Sequence, residues 1–206
     1  MTNSKDQFIE AAIRVFAARG FYGTSIAAIV ADLPYTKQAL LHHFGSKEKL
    51  YGEVLRHISE RLVRELQEAM SEATDPRANL EITLVAFYRS ALTYRDETIL
   101  LMRELLDNEP RAAQSKSWYL RGFLEGLSTA VAQANPTRFP DPQAAMPLTY
   151  QLLGAIQYFV VSEPTLRQLL GADAYAAMRG RYEDDLRLLI ARSVDHPSDR
   201  RETAAR

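Results

Sequence analysis

Between Asp6 and Arg19 the apolar residues Phe8, Ile9, Ala12, Ile13, Val15 and Phe16 return with the period of an amphipathic helix, and Gly20 ends the run. A shorter run from about Ser25 to Asp32 turns Ile26 and Ile29 inward, with Thr24 or Ser25 placed to cap it. Pro34 stops it, because a proline ring disfavours helical geometry at Leu33. Thr36 can cap a third run, KQALLHHF, which ends at Gly45. Ser46 then caps a stripe of Leu50, Val54, Leu55, Ile58, Leu62, Leu66 and Met70, about six to seven helical turns long. Pro76 opens the next helix, with Leu80, Leu84, Phe87, Ala91 and Tyr94 aligned. Further helices fit roughly 96–108, 112–134, 142–162 and 173–194, divided by DNEP, ANPTRFPDP and GAD. The periodicity predicts an all-α chain of about nine helices, with no strand and no internal repeat. The tail DHPSDRRETAAR, residues 195–206, is polar and is expected to be disordered.

Composition narrows the class. The 206 residues are 47% hydrophobic and 25% charged, a soluble globular profile. No stretch of about eighteen apolar residues suggests a membrane span. MTNSKDQFIE lacks the apolar core of a signal peptide, so a cytoplasmic location is expected. With no cysteine there is no disulfide framework, thiolate metal site or thiol nucleophile. Net charge is −1, yet residues 1–50 hold six basic against four acidic side chains. A locally basic N-terminal unit suits contact with a polyanion.

Two short helices joined by LPYT and braced by a preceding helix are the pattern of a helix-turn-helix nucleic-acid reader. On the third helix, Leu40 and Phe44 lie one turn apart and should pack on Ile26, Ile29 and Phe16. Gln38 and His42 share the opposite face, and Lys37 sits in the first turn, where an inserted helix points at base edges. His42 and His43 are poor metal ligands as a pair, since neighbouring helical side chains diverge by about 100°. No acid or third histidine stands four residues beyond His43, where Lys47 stands instead. They remain candidates for phosphate or base contact, or for simple solvation. No metal, cofactor or catalytic residue is expected; carboxylates such as Glu104 with Asp107, or Glu183 with Asp184 and Asp185, have no nucleophile–base partner in view.

The segment FIEAAIRVFAARGFYGTSIAAIVADLPYTKQALLHHFGSKEKLY resembles the N-terminal DNA-binding domain of the TetR/AcrR family of transcriptional regulators. AAIRVFAARGF, the Thr-Ser before IAAIV, TKQALLHHF and GSKEKL carry the likeness, over about the first fifty residues. The resemblance implies that Thr24 and Ser25 touch phosphate, and that Thr36, Lys37, Gln38 and Ala39 lie at or near bases. It further implies that His42 and His43 contact backbone or base and that Lys47 binds a phosphate. A helix N-terminus favours anions in any case. Two departures stand out. Pro34 occupies a turn position where the family usually has glycine, so the turn must bend without a positive φ. Leu41 replaces a usual tyrosine and offers only apolar contact, for instance to a thymine methyl.

The expected division is a helix-turn-helix domain over 1–45, a helical effector-binding and dimerisation domain over 46–194, and the tail. Aromatic clusters with nearby charges nominate an effector pocket of Phe87, Tyr88, Arg89, Tyr94, Glu104, Trp118, Arg121, Phe123, Glu125 and Tyr158. PQAAMPLTYQLLGAIQYFVVSE is nearly apolar all round, more than one helix of a monomer can hide. A two-fold bundle would cover it, with Leu152, Ala155, Ile156 and Phe159 meeting Tyr182, Leu186 and Leu189. The expected function is a ligand-responsive repressor that binds a palindromic operator on double-stranded DNA as a homodimer and is released by a small molecule. The competing expectation is a helical ligand-binding or protein-partner module without specific DNA binding.

Overall fold

The computed structural model describes residues 3–71, 74–107 and 119–195. These form ten helices and no strand: α1 Ser4–Arg19, α2 Ile26–Val30, α3 Lys37–Phe44, α4 Lys47–Met70, α5 Pro76–Thr93, α6 Arg95–Asp107, α7 Arg121–Ala134, α8 Pro142–Val161, α9 Glu163–Leu170 and α10 Ala172–Asp195. The all-α expectation holds. The segment expected as a helix over 112–134 is helical from Arg121, and its first residues, with the 196–206 tail, lie outside the described residues. α9 was not expected. Ser162 closes α8, Pro164 opens the new helix where proline's missing N–H costs nothing, and Gly171 at φ 84° turns the chain into α10.

Side-chain caps fix the helix starts. Asn3, Ser25, Thr36, Ser46, Asp75 and Asp141 each accept a backbone N–H from the first turn of the helix that follows. Gly20 (φ 70°) and Gly45 (φ 79°) close α1 and α3 in a conformation that other residues avoid.

One hydrophobic core runs from Phe8 to Val194 and crosses residue 45 without a break. α4 makes this possible. At about 1.5 Å per residue its 24 residues reach about 36 Å, from α1 and α3 at one end to α5 and α7 in the body. The expected stripe Leu50, Val54, Leu55, Ile58, Leu62 and Leu66 is buried, and Met70 half-buried. Gly126 lets α7 approach closely: a Cβ there would come within 2.6 Å of Leu66 Cδ2.

A buried ion pair ties α4 to α6. Arg61 Nε donates to Glu97 at 3.0 Å and Nη1 donates to Glu65 at 2.6 Å, and the guanidinium carbon lies 4.0 Å from the Tyr94 ring centre. The two side chains are only 12% and 9% exposed. Removing Glu97 leaves the largely buried guanidinium with Glu65 as its one remaining carboxylate partner among the described residues. Glu97→Ala should therefore cost about 3 kcal/mol, or roughly 6–12 °C in thermal-melt midpoint, checked by calorimetry.

Candidate nucleic-acid interface

α3 is held by one face and open on the other. Leu40 and Phe44 are buried, and the Phe44 ring meets Phe8 edge-on at 6.2 Å. Phe8, rather than Phe16, is thus its aromatic partner on α1; Phe16 stacks instead on Phe21 and meets Tyr51 edge-on. At about 100° per residue, Lys37, Gln38, Leu41 and His42 occupy one arc of about 140°. All four are exposed, with Ala39 half-buried at their edge. The turn before α3 needs no positive φ: Leu33 N–H donates to Val30 O at 3.1 Å, and among the described residues only glycines have positive φ. Pro34 is therefore accommodated.

The exposed caps Ser25 and Thr36 accept from Ala28 N–H at 3.2 Å and Ala39 N–H at 3.1 Å. Each keeps its own hydroxyl proton for an outside acceptor. Lys37 and Lys49 are exposed and make no ion pair among the described residues. Lys5, by contrast, is committed to Glu53 at 3.2 Å; Arg56 chiefly, with Lys5, holds the Glu53 carboxyl below its usual range.

Three expected contacts sit differently. Thr24 is 3% exposed, and its hydroxyl donates inward to Gly20 O at 2.7 Å, so it is not turned toward a phosphate. Lys47 donates to Phe21 O at 3.0 Å and Thr24 O at 3.1 Å and lies 4.3 Å from the Phe21 ring centre. It staples the α1–α2 loop instead of standing free at the helix start. His43 leans back on α1, with Nε2 3.3 Å from Ser4 Oγ and its ring 5.6 Å from Phe8. Both rings are exposed, but only His42 lies on the arc of Lys37, Gln38 and Leu41.

A contact that sequence reasoning missed joins this unit to the body. Arg103 of α6 donates from Nε to Ala17 O at 2.7 Å and from Nη2 to Ala18 O at 3.2 Å, at the C-terminal end of α1. A cation there meets the negative end of the helix dipole. Beside it, Tyr51 donates to Glu104 at 2.6 Å. Nothing local to residues 103–104 announces either contact.

The nominated effector residues do not come together. Phe87 and Phe123, 5.3 Å apart, border a cavity of about 10 Å³ between α4, α5 and α7, room for no more than about one water. Arg121 and Glu125 pair on the surface at 3.0 Å, Tyr158 is 71% exposed, and Tyr94 lies under Arg61. Of the four charges read as near-core, only Glu104 is buried, and Tyr51 satisfies it. Tyr88 and Arg89 belong to a separate groove; Trp118 lies outside the described residues. Arg89 is paired with Glu183 at 2.6 Å, and Arg89 chiefly, then Arg187, holds that carboxyl low, which ill suits it to proton transfer.

The dimer set also divides. Leu152, Ile156, Phe159 and Leu186 are buried in the chain's own core and cannot meet a partner. Tyr182 is stacked on Phe159 at 3.7 Å and donates to Ala155 O at 2.6 Å. Leu189 is exposed, and Ala155 half-buried. The exposed faces of the two helices carry Pro147, Tyr150, Gly154 and Tyr158 on α8 and Met178, Leu188 and Leu189 on α10.

A helix-turn-helix unit with an open reading face, mounted on a helical body, defines the class. Residues 8–54 match the family model described as "Bacterial regulatory proteins, tetR family". The HTH-type transcriptional regulator LmrA of Bacillus subtilis is 30% identical over 83 residues, covering 40% of this chain and 44% of LmrA. The chain thus matches less than half the length of that curated relative. Over the whole chain the likeness is one of fold. A TetR-like regulator from Rhodococcus sp. RHA1 has TM-score 0.65 at 21% identity, covering 96% of this chain and 100% of that one. FadR of Bacillus subtilis, solved with stearoyl-CoA, has TM-score 0.67 at 16% identity, covering 90% and 96%. The sequence likeness to the tetR family thus lies in the N-terminal helix-turn-helix unit, residues 8–54, and the body shares the fold of TetR-like regulators.

Lys47 generates a stability prediction. Lys47→Met keeps the stem over Phe21 but removes two charged hydrogen bonds to carbonyls, so urea unfolding should lose about 2 kcal/mol. An unchanged midpoint would return Lys47 to the free surface.

Proposed function

We propose that this protein is a DNA-binding transcriptional repressor that holds a palindromic operator as a homodimer, in the cytoplasm, and lets go when a small molecule binds its body. The exposed Lys37–Gln38–Leu41–His42 stripe carries this reading. Its groups suit the major groove: a cation for guanine acceptors, an amide for adenine, and an apolar tip for a thymine methyl. Ser25, Thr36 and Lys49 flank the stripe where backbone phosphates would run.

One eight-residue helix reads too few bases for useful affinity, which argues for two copies. The exposed apolar faces of α8 and α10 offer the self-complementary surface a two-fold dimer needs. That pairing would set the two α3 helices about one helical turn of DNA, or a multiple, apart.

Release requires that the body bias the spacing of the reading heads. α6 is the candidate lever, because it grips α4 through Glu97 and Glu104 and α1 through Arg103. A ligand that favours a shifted α6 would move α1 and α4 together. A coupling of about 1–3 kcal/mol would weaken operator binding roughly 5- to 150-fold. The shared fold with FadR, solved with stearoyl-CoA, supports a ligand-responsive body without naming this chain's ligand.

Two experiments test the reading. Selection of duplexes from a random pool should return a palindrome, and Lys37→Ala with Gln38→Ala should then cost about 2–4 kcal/mol in operator affinity while the dimer mass is unchanged. Equal affinity of variant and parent by gel shift, or salt-insensitive binding to any duplex, contradicts it. Separately, Arg103→Met should speed amide exchange across residues 17–24 and weaken operator binding several-fold, with exchange in α8 and α10 unaltered. Unaltered exchange at 17–24 would remove α6 as the lever.

A further inference from the structure

α5, α9 and α10 border an open groove of about 470 Å³, within the size range of small-ligand sites. Its floor is small: Ala172, Ala176 and Gly180 recur every fourth residue along α10, and a Cβ built on Gly180 would meet nothing within 4 Å. Tyr88 and Leu92 of α5 form an apolar wall.

The rim is cationic. Arg89, Arg167 and Arg179 line it against a single acid, Glu183. That acid is already engaged, by Arg89 at 2.9 and 2.6 Å and by Arg187 at 3.1 Å. Arg167 reaches Glu163 only at 3.5 Å, and Arg179 has no hydrogen-bond or ion-pair partner among the described residues. The groove therefore holds more positive charge than its own acids absorb.

A second, independent observation points the same way. Tyr175 lines the groove, is 3% exposed, and its buried hydroxyl has no hydrogen-bond partner among the described residues. Leaving such a group unpaired costs about 1–3 kcal/mol. The Arg167 guanidinium carbon sits 5.9 Å from the Tyr175 ring centre. Burial first, and Glu163 next, raise the hydroxyl's pKa against the opposing pull of Arg179, Arg167 and Arg95, so it keeps its proton and can donate.

We propose that this groove binds a small organic anion, its carboxylate or phosphate gripped by Arg179, Arg167 and the Tyr175 hydroxyl, its flat apolar body lying on Ala176 and Gly180 against Tyr88. Guanidinium forks suit both anions, and the flat floor rewards an aryl body over a bare ion. The proposal does not depend on DNA binding.

Calorimetric titration of the full chain with benzoate, phenyl phosphate, inorganic phosphate and benzyl alcohol tests it. Benzoate or phenyl phosphate should saturate one site per chain, with at least about tenfold preference over neutral benzyl alcohol, since the charge-assisted bonds are lost there. The stronger of the two anions identifies the head group. Tyr175→Phe and Arg179→Gln should each weaken binding by about fivefold or more, as expected for loss of one hydrogen bond to a charged ligand. Gly180→Leu should fill the floor and abolish binding. Tyr175→Phe is the decisive variant, because removing an unpaired buried hydroxyl should leave the melting midpoint unchanged or raised. No binding of either aryl anion at about 10 mM, well above the millimolar limit of weak specific sites, overturns the proposal. So does benzyl alcohol or inorganic phosphate binding as tightly as the aryl anions, or undiminished binding to the Tyr175 and Arg179 variants.

Discussion

The structure turns on a cluster of four backbone carbonyls at the end of α1. Ala17 and Ala18 lie in its last turns, where intrahelical donors run out, and Phe21 and Thr24 lie in the loop beyond. Arg103 of α6 takes the first two and Lys47 of α4 takes the second two. Two cations from different elements thus close on one concentration of negative dipole. The loop they hold leads into α2 and so sets where α3 begins. Without that clamp the reading face would be a well-formed helix on an ill-fixed mount. With it, the orientation of α3 is a property of the body as much as of the N-terminal helices.

That arrangement explains which parts of the molecule could be read from its sequence. The anchors Leu40 and Phe44 and the stripe of α4 obey a period, and periodicity is local. So do the caps Ser25, Thr36 and Ser46, each of which serves an N–H three residues on. Thr24 and Lys47 are not of this kind. A hydroxyl beside a helix start and a lysine beside the next look alike whether they face water or a neighbouring carbonyl. Only the return of α4 past Phe21 decides it. Arg103 is the extreme case, since its partners stand 85 and 86 residues away.

The body posed a different difficulty. Apolar pattern records how much surface must be hidden, but not what hides it. α8 is apolar nearly all round, and the chain's own core takes Leu148, Leu152, Ile156 and Phe159, leaving Pro147, Tyr150, Gly154 and Tyr158 outside. The positions expected at an interface, Leu152, Ile156 and Phe159, are the ones this core already covers. The same holds in the effector set, where aromatic residues spaced for a helix face proved to be packing partners: Phe87 with Phe123, Tyr88 with Tyr182. α9 escaped notice because Ser-Glu-Pro reads as punctuation, although proline in a first helical turn is also a start signal.

α10 brings these threads together. At about 100° per residue, Arg179, Ala176, Glu183 and Gly180 cluster on one side of the helix, and Met178, Leu189, Leu188 and Arg181 cluster nearly opposite. The cationic groove and the exposed apolar face therefore do not compete for the same surface, and a second copy seated on α8 and α10 would leave the groove open. The groove also shares α5 with the rest of the body. Arg89 on α5 is tied to Glu183, and just past the last turn of α5 Tyr94 packs beneath Arg61, the residue that joins α4 to α6. A change in how α10 sits against α5 thus reaches the α4–α6 pair through packed side chains, with no intervening loop to absorb it.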